Sequence, residues 1–238
     1  MGFVLPPIAS RLATYGTLTR AGKALCVLLL LGLLLPGLPA RAGQVTILAF
    51  GDSLTQGYGL PPDEGFVPRL QAWLQEHGHG DVRLINGGVS GDTTAGGAAR
   101  IGWSLGDDVD AMILALGGND MLRGIDPAVT RENLARIIET ARARGVAVLL
   151  VGIAATGNFG PAYKRAFDAI FGELARRYGT LYYANFLEGL GSDDPQKLRP
   201  LLQPDGIHPN ARGVRRIVAA IGPAVVALIE RVRQEPRQ

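Results

Sequence analysis

A chain of 238 residues that is 47% hydrophobic and 19% charged carries enough apolar side chain for one packed domain. Its formal charge of +3 comes from 24 Lys+Arg against 21 Asp+Glu, but Arg11, Arg20, Lys23 and Arg41 precede residue 43 and leave 20 against 21. That balance removes the charge argument for nucleic acid or an anionic membrane surface as a partner.

Residues 1–42 read as a secretory leader. There is no acidic residue before Asp52, Arg11, Arg20 and Lys23 form a basic start, and Ala24 to Leu38 is nearly all apolar. Ala40-Arg41-Ala42 then has the small-x-small form of a cleavage site, so cleavage is expected after Ala42 and one domain over 43–238. An uncleaved anchor fits less well, because the run is shorter than the roughly 20 residues a spanning helix needs and holds Gly32, Pro36 and Gly37. The only cysteine, Cys26, follows Leu25 inside the apolar run, which does not suit lipidation. The exported chain therefore has no disulfide. It is expected in the periplasm or medium, without stable membrane insertion and as a monomer.

From Val45 onward, short apolar runs alternate with segments of helical period, the pattern of an α/β domain with a mostly parallel sheet. Strands are expected at Val45 to Phe50, Val82 to Asn86, Ala111 to Leu116, Val146 to Gly152 and Thr180 to Tyr183. A helix is expected after Asp126-Pro127, with Leu134, Ile137, Ile138 and Ala141 on one face and a stop at Gly145. Tyr163, Phe167, Ile170, Phe171 and Leu174 repeat the pattern up to Gly179. Val214, Ile217, Val218, Ile221, Val225 and Leu228 mark a last helix in which Pro223 should produce a kink.

Ligands of such sheets bind where strands end, and the polar signatures fall there. Gly51-Asp52-Ser53-Leu54 follows the first strand. Alone it reads as a helix cap, and Thr55 rules out the Gly-x-Ser-x-Gly elbow. A serine at a strand-to-helix junction nonetheless gains from the free N–H groups of the helix start.

A serine nucleophile needs a base, and an imidazole oriented by a carboxylate is the usual one. Asp205 and His208 lie three apart, and Pro209 biases His208 away from helical geometry, so the two side chains can converge in a turn. The other two histidines, His77 and His79, sit in the polar stretch Glu76 to Asp81 and read as solvated loop residues without a third metal ligand. Asn119, after Gly117-Gly118, is a candidate amide donor to an oxyanion or simply a turn residue. Gly91, in Ser90-Gly91-Asp92-Thr93, carries the same ambiguity.

Gly51-Asp52-Ser53, Gly91 within its block, Gly117-Gly118-Asn119-Asp120 and Asp205-Gly206-Ile207-His208-Pro209, in this order, resemble the SGNH (GDSL) hydrolase family. Ile85-Asn86, Asn158-Phe159-Gly160 and Ala166-Phe167 bring the likeness closer to the bacterial periplasmic thioesterase I group, whose members also act as arylesterases and lysophospholipases. The likeness spans Val45 to the last helix. It implies a three-layer α/β/α flavodoxin-like sandwich with a mostly parallel five-stranded sheet.

The resemblance also gives roles: Ser53 as nucleophile, His208 as base, Asp205 orienting it, and an oxyanion hole from the N–H groups of Ser53 and Gly91 and the amide of Asn119. No metal or cofactor is required, and the substrate is a small acyl ester or thioester. One departure concerns the loop after the fourth strand, where this group commonly has bulkier residues shaping the acyl site. Here it is Ala154-Ala155-Thr156-Gly157, which leaves either a wider cleft or a more mobile loop. Two alternatives stay open: a carbohydrate O-acetylesterase of the same family, and a non-catalytic binding module on the same scaffold.

Overall fold

The computed structural model describes residues 43–192 and 194–235 together with Gly2. The expected leader, Gly2 apart, and its cleavage point lie outside the described residues. Five strands form one sheet: β1 (Val45–Gly51), β2 (Val82–Gly88), β3 (Ala111–Ala115), β4 (Ala147–Val151) and β5 (Leu181–Tyr183). Their order is β2-β1-β3-β4-β5, and every pairing is parallel.

All of β1 is buried, as a central strand covered on both faces must be. Its period-two alternation sorts the core into two clusters. Ile47 and Ala49 join Ile113, Leu149 and Val151 on one face, while Leu48 and Phe50 join Met112, Leu114 and Leu150 on the other.

The longer helices close both faces. On the first lie α2 (Phe66–Glu76), through Phe66, Leu70 and Leu74, and α8 (Ala211–Gln234), through Val214, Ile217, Ile221 and Leu228. The second carries α3 (Thr94–Ser104), α5 (Pro127–Ala143) and α6 (Gly160–Tyr178), which bury Ile101, Leu134, Ile137, Phe167 and Phe171. Short helices α1 (Ser53–Gln56), α4 (Gly118–Leu122) and α7 (Pro195–Leu198) complete the set. The architecture is the expected α/β/α sandwich.

Differences from the sequence reading have local causes. β1 and β2 run on to Gly51 and Gly88 because their parallel register continues through Phe50↔Gly87 and Gly51↔Gly88. β3 ends one residue early, ahead of the turn at Gly117, whose φ is +119°. Helix α5 starts as expected, with the Asp126 side chain accepting from the Ala128 N–H at 2.8 Å and Pro127 in the first turn. Helix α8 continues through Pro223, which lies on its exposed side together with Ala219, the residue whose carbonyl Pro223 cannot serve.

The stretch around His77 and His79 is less loop-like than its composition implies. His77 caps α2, its ring stacked on Trp73 at 3.8 Å and its Nδ1 2.7 Å from the Trp73 carbonyl. His79 is half-buried. Among the described residues no three His, Cys, Asp or Glu side chains converge as a metal-binding group, and no helix is long and apolar enough to cross a membrane.

Candidate active site

In this strand order the chain turns outward in opposite directions from β1 and β3, and the crevice above those two strands is where such sheets hold ligands. Ser53 leaves β1 and Asn119 leaves β3. At the end of β1, Asp52 caps α1 by accepting from the Leu54 N–H at 3.0 Å. Capping is thus done by Asp52, which leaves the Ser53 hydroxyl free for another partner. As first residue of α1, Ser53 presents a backbone N–H that has no acceptor inside the helix.

That partner is His208. The residues before α8 form a tight turn in which Asp205 Oδ1 accepts from the N–H groups of Ile207 at 2.9 Å and His208 at 3.0 Å. Asp205 Oδ2 lies 2.6 Å from His208 Nδ1, and His208 Nε2 lies 2.8 Å from Ser53 Oγ. An ionised carboxylate can only accept, so the imidazole proton belongs on Nδ1 and the lone pair of Nε2 faces the hydroxyl.

The backbone around His208 is fastened on both sides. The Gln203 N–H donates to the His208 carbonyl at 2.7 Å, while Gln203 Nε2 bonds the carbonyls of Tyr58 at 2.8 Å and Pro209 at 3.0 Å. Leu202 and Pro209 form an antiparallel bridge. Tyr58 leans against the imidazole with ring centroids 4.7 Å apart.

The two carboxyls of the site are pushed in opposite directions. Partial burial raises Asp205, but the donors on Ile207 and His208 outweigh it and bring it down to about 2. Asp52 is 3% exposed, and that burial raises it to about 6 against the Leu54 N–H and the nearby His208.

Gly91, at φ +77°, occupies a left-handed turn that favours glycine, and its carbonyl accepts from Arg123 Nη2 at 2.9 Å. Asn119 Nδ2 donates to the Asp92 carbonyl at 2.9 Å and makes only a limiting 3.5 Å contact with Asp52 Oδ2, so one of its two hydrogens is only weakly engaged. Beneath it, fully buried Asp120 accepts from the N–H of Thr94 at 2.9 Å and from its hydroxyl at 2.5 Å. Ser53, Asp205 and His208 therefore form one hydrogen-bonded chain, and Gly91, in the loop after β2, is linked to Asn119, in α4, through the Asp92 carbonyl. An apolar recess lined by Leu54, Tyr58, Phe186 and Ile217 opens beside Ser53 and His208.

The small-residue loop after β4 is held, not loose. Asp168 Oδ1 accepts from the Ala155 N–H at 2.7 Å, and Lys164 Nζ donates to the Ala155 carbonyl at 2.6 Å and to Asp168 Oδ2 at 2.8 Å. Sequence reasoning passes over these residues, and over Gln203, Arg123 and Arg100. For Arg100 the available signal was a lone cation in a Gly- and Ala-rich segment that has few other residues to bury.

A family model described as GDSL-like Lipase/Acylhydrolase matches residues 49–216. Esterase TesA of Pseudomonas aeruginosa is 39% identical over 193 residues, spanning 81% of this chain and 93% of that protein. Thioesterase 1/protease 1/lysophospholipase L1 of Escherichia coli K12 is 34% identical over 171 residues, spanning 71% of this chain and 77% of that protein. The crystal structure of AlinE4, an SGNH-hydrolase family esterase, superposes with a TM-score of 0.63 at 44% identity, covering 77% of this chain and 96% of that one.

Proposed function

From the premise that this chain belongs to the GDSL-like lipase/acylhydrolase family, we propose that it is a serine hydrolase of acyl esters and thioesters working through an acyl-enzyme on Ser53. The observation that carries the reading is the unbroken chain from Ser53 Oγ through His208 to Asp205, at 2.8 and 2.6 Å. These are the distances nucleophile, base and orienting group need.

In the first step Ser53 Oγ attacks the acyl carbonyl while His208 Nε2 takes its proton, and the charge moves onto the carbonyl oxygen. The N–H groups of Ser53 and Gly91 and the weakly engaged amide hydrogen of Asn119 receive that oxyanion. His208 then protonates the departing alkoxide or thiolate. In the second step water, deprotonated at Nε2, attacks the acyl-Ser53 carbonyl and releases the acid. Asp205 holds the imidazole in the required tautomer and offsets the imidazolium charge.

The substrate is a small-molecule acyl ester. Medium to long acyl groups are the proposed class because the recess beside Ser53 is lined by apolar side chains, and thioesters are included because a thioesterase is among the relatives. The leader reading of residues 1–42 supports export to the periplasm, with residues 43–238 acting as one domain and as a monomer.

The test is the initial rate on octanoyl-CoA, octanoyl p-nitrophenyl ester and acetyl p-nitrophenyl ester, with Ser53→Ala alongside. Octanoyl rates above acetyl that vanish in the variant are expected. Ser53-dependent activity on acetyl alone would redirect the reading to a deacetylase, and equal rates in both proteins would sink it.

A further inference from the structure

Helix α3 turns an unusual face to the sheet: Thr94, Gly97, Arg100 and Ile101. Arg100 is 8% exposed, and its guanidinium lies over the Phe50 ring, 3.8 Å from the centroid. A buried cation is tolerated only when paired and hydrogen-bonded, and here the partners are specific. Nε donates to Asp92 Oδ2 at 2.7 Å, Nη1 to the Gly87 carbonyl at 3.0 Å and Nη2 to the Gly51 carbonyl at 2.9 Å.

Each acceptor belongs to a segment that supplies or fixes an oxyanion donor. Gly51 leads directly into Asp52 and Ser53. Gly87 lies near the end of β2, ahead of the Ser90 to Asp92 loop. Asp92 follows Gly91, and its own carbonyl accepts the Asn119 amide at 2.9 Å. Two segments, the end of β1 and the stretch from Gly87 to Asp92, thus meet on one rigid, forked side chain.

We propose that Arg100 is the positioning residue of the oxyanion hole, fixing the Ser53 and Gly91 N–H groups relative to each other and, through Asp92, the amide of Asn119. It touches no substrate, and the inference rests on the esterase reading above. A lysine retains the charge but is a single point donor without the fork that bridges three acceptors. Removing Asp92's charge has the converse effect, leaving the guanidinium without its counter-ion.

The test measures kcat, KM and thermal midpoint on octanoyl p-nitrophenyl ester for wild type, Arg100→Lys, Asp92→Asn, Asn119→Ala and the Arg100→Lys/Asn119→Ala double variant, well below each midpoint. Asp92→Asn conserves volume and keeps the inference testable should Arg100→Lys not fold. Displaced donors weaken the transition state more than substrate binding, so kcat falls on the order of 10- to 100-fold with KM little changed. Because both residues act on the same hole, the Arg100→Lys loss in the Asn119→Ala background is several-fold smaller than in wild type.

A lowered midpoint with kcat retained, or losses that simply multiply, would assign Arg100 to fold maintenance and overturn the inference. Absence of Ser53-dependent hydrolysis in the wild type would overturn the esterase reading instead.

Discussion

Asp52 and Asp205 flank the reacting groups and are both carboxylates, yet their surroundings separate them. Asp205 is brought down to about 2 by the donors of Ile207 and His208. Its contribution to stability is complete above the ordinary carboxylate value near 4 and is lost only as pH falls through about 2, so it stays ionised wherever His208 needs it. Asp52 is raised to about 6 by burial. Its folded form prefers the proton, so the stability it confers is present below about pH 4 and lost as pH rises through about 6. Asp52→Asn mimics the neutral acid: its midpoint, compared with wild type at pH 4.5 and pH 7.5, should gain on wild type as pH rises, and an unchanged difference would show that Asp52 is not desolvated as described. Asn119→Ala removes a donor to the oxyanion, so kcat on octanoyl p-nitrophenyl ester should drop by about 10²–10³-fold with little change in KM. A large KM effect with unchanged kcat would place Asn119 in ground-state binding.

At the scale of elements, the start of α8 is packed against the backbone that carries His208. A Cβ on Gly213 would overlap the Leu201 carbonyl oxygen and come 3.1 Å from Pro209 Cβ. Alanine there gains about 1 kcal/mol of helix propensity, but the overlap is with the Leu201 carbonyl, which already accepts from the Asn210 N–H at 2.9 Å and precedes the residue bridged to Pro209. Gly213→Ala should therefore lower both the thermal midpoint and kcat; a rise in the midpoint with full activity would show that the His208 turn yields freely. The loop after β4 gives a second element-level expectation. Asp168→Ala frees the Ala155 N–H and the Lys164 ammonium together, and the octanoyl-to-acetyl ratio of kcat/KM should change by more than the rate on acetyl ester alone. Elements also differ in how legible they were. α5, α6 and α8 bury apolar residues at helical spacing, and α5 and α6 also begin or end on Pro, Asp and Gly signals. α3 contains Gly96, Gly97 and Gly102 and buries Thr94 and Arg100, so neither propensity nor an apolar stripe announces it, and with it the buried Arg100 went unread. α2 had a readable stripe in Phe66, Val67, Leu70 and Leu74, but Gly- and Pro-rich flanks obscured its limits.

Across the whole molecule, the parallel sheet gathers residues from Ser53 to His208, 155 positions apart, because every strand ends on the same edge. That is why the layers and the edge bearing the site were readable from alternating strands and helices, and why Ser53 and Asn119 were nameable from polar residues that follow buried runs, whereas Asp205 and His208 were nameable from their three-residue spacing ahead of Pro209. What was not readable is what one side chain does to another across the fold. That Arg100 reaches the end of β1, or that Gln203 ties the His208 turn to the Tyr58 carbonyl, depends on tertiary distance and on no local spacing. Treating the protein with a fluorophosphonate, and mapping the labelled residue while following hydrolysis of octanoyl p-nitrophenyl ester, reads out whether Ser53 is a nucleophile driven by His208. Labelling of Ser53 in step with loss of activity, and none in Ser53→Ala, is expected; full activity after Ser53 is labelled, or equal labelling of the variant, would contradict a nucleophilic Ser53.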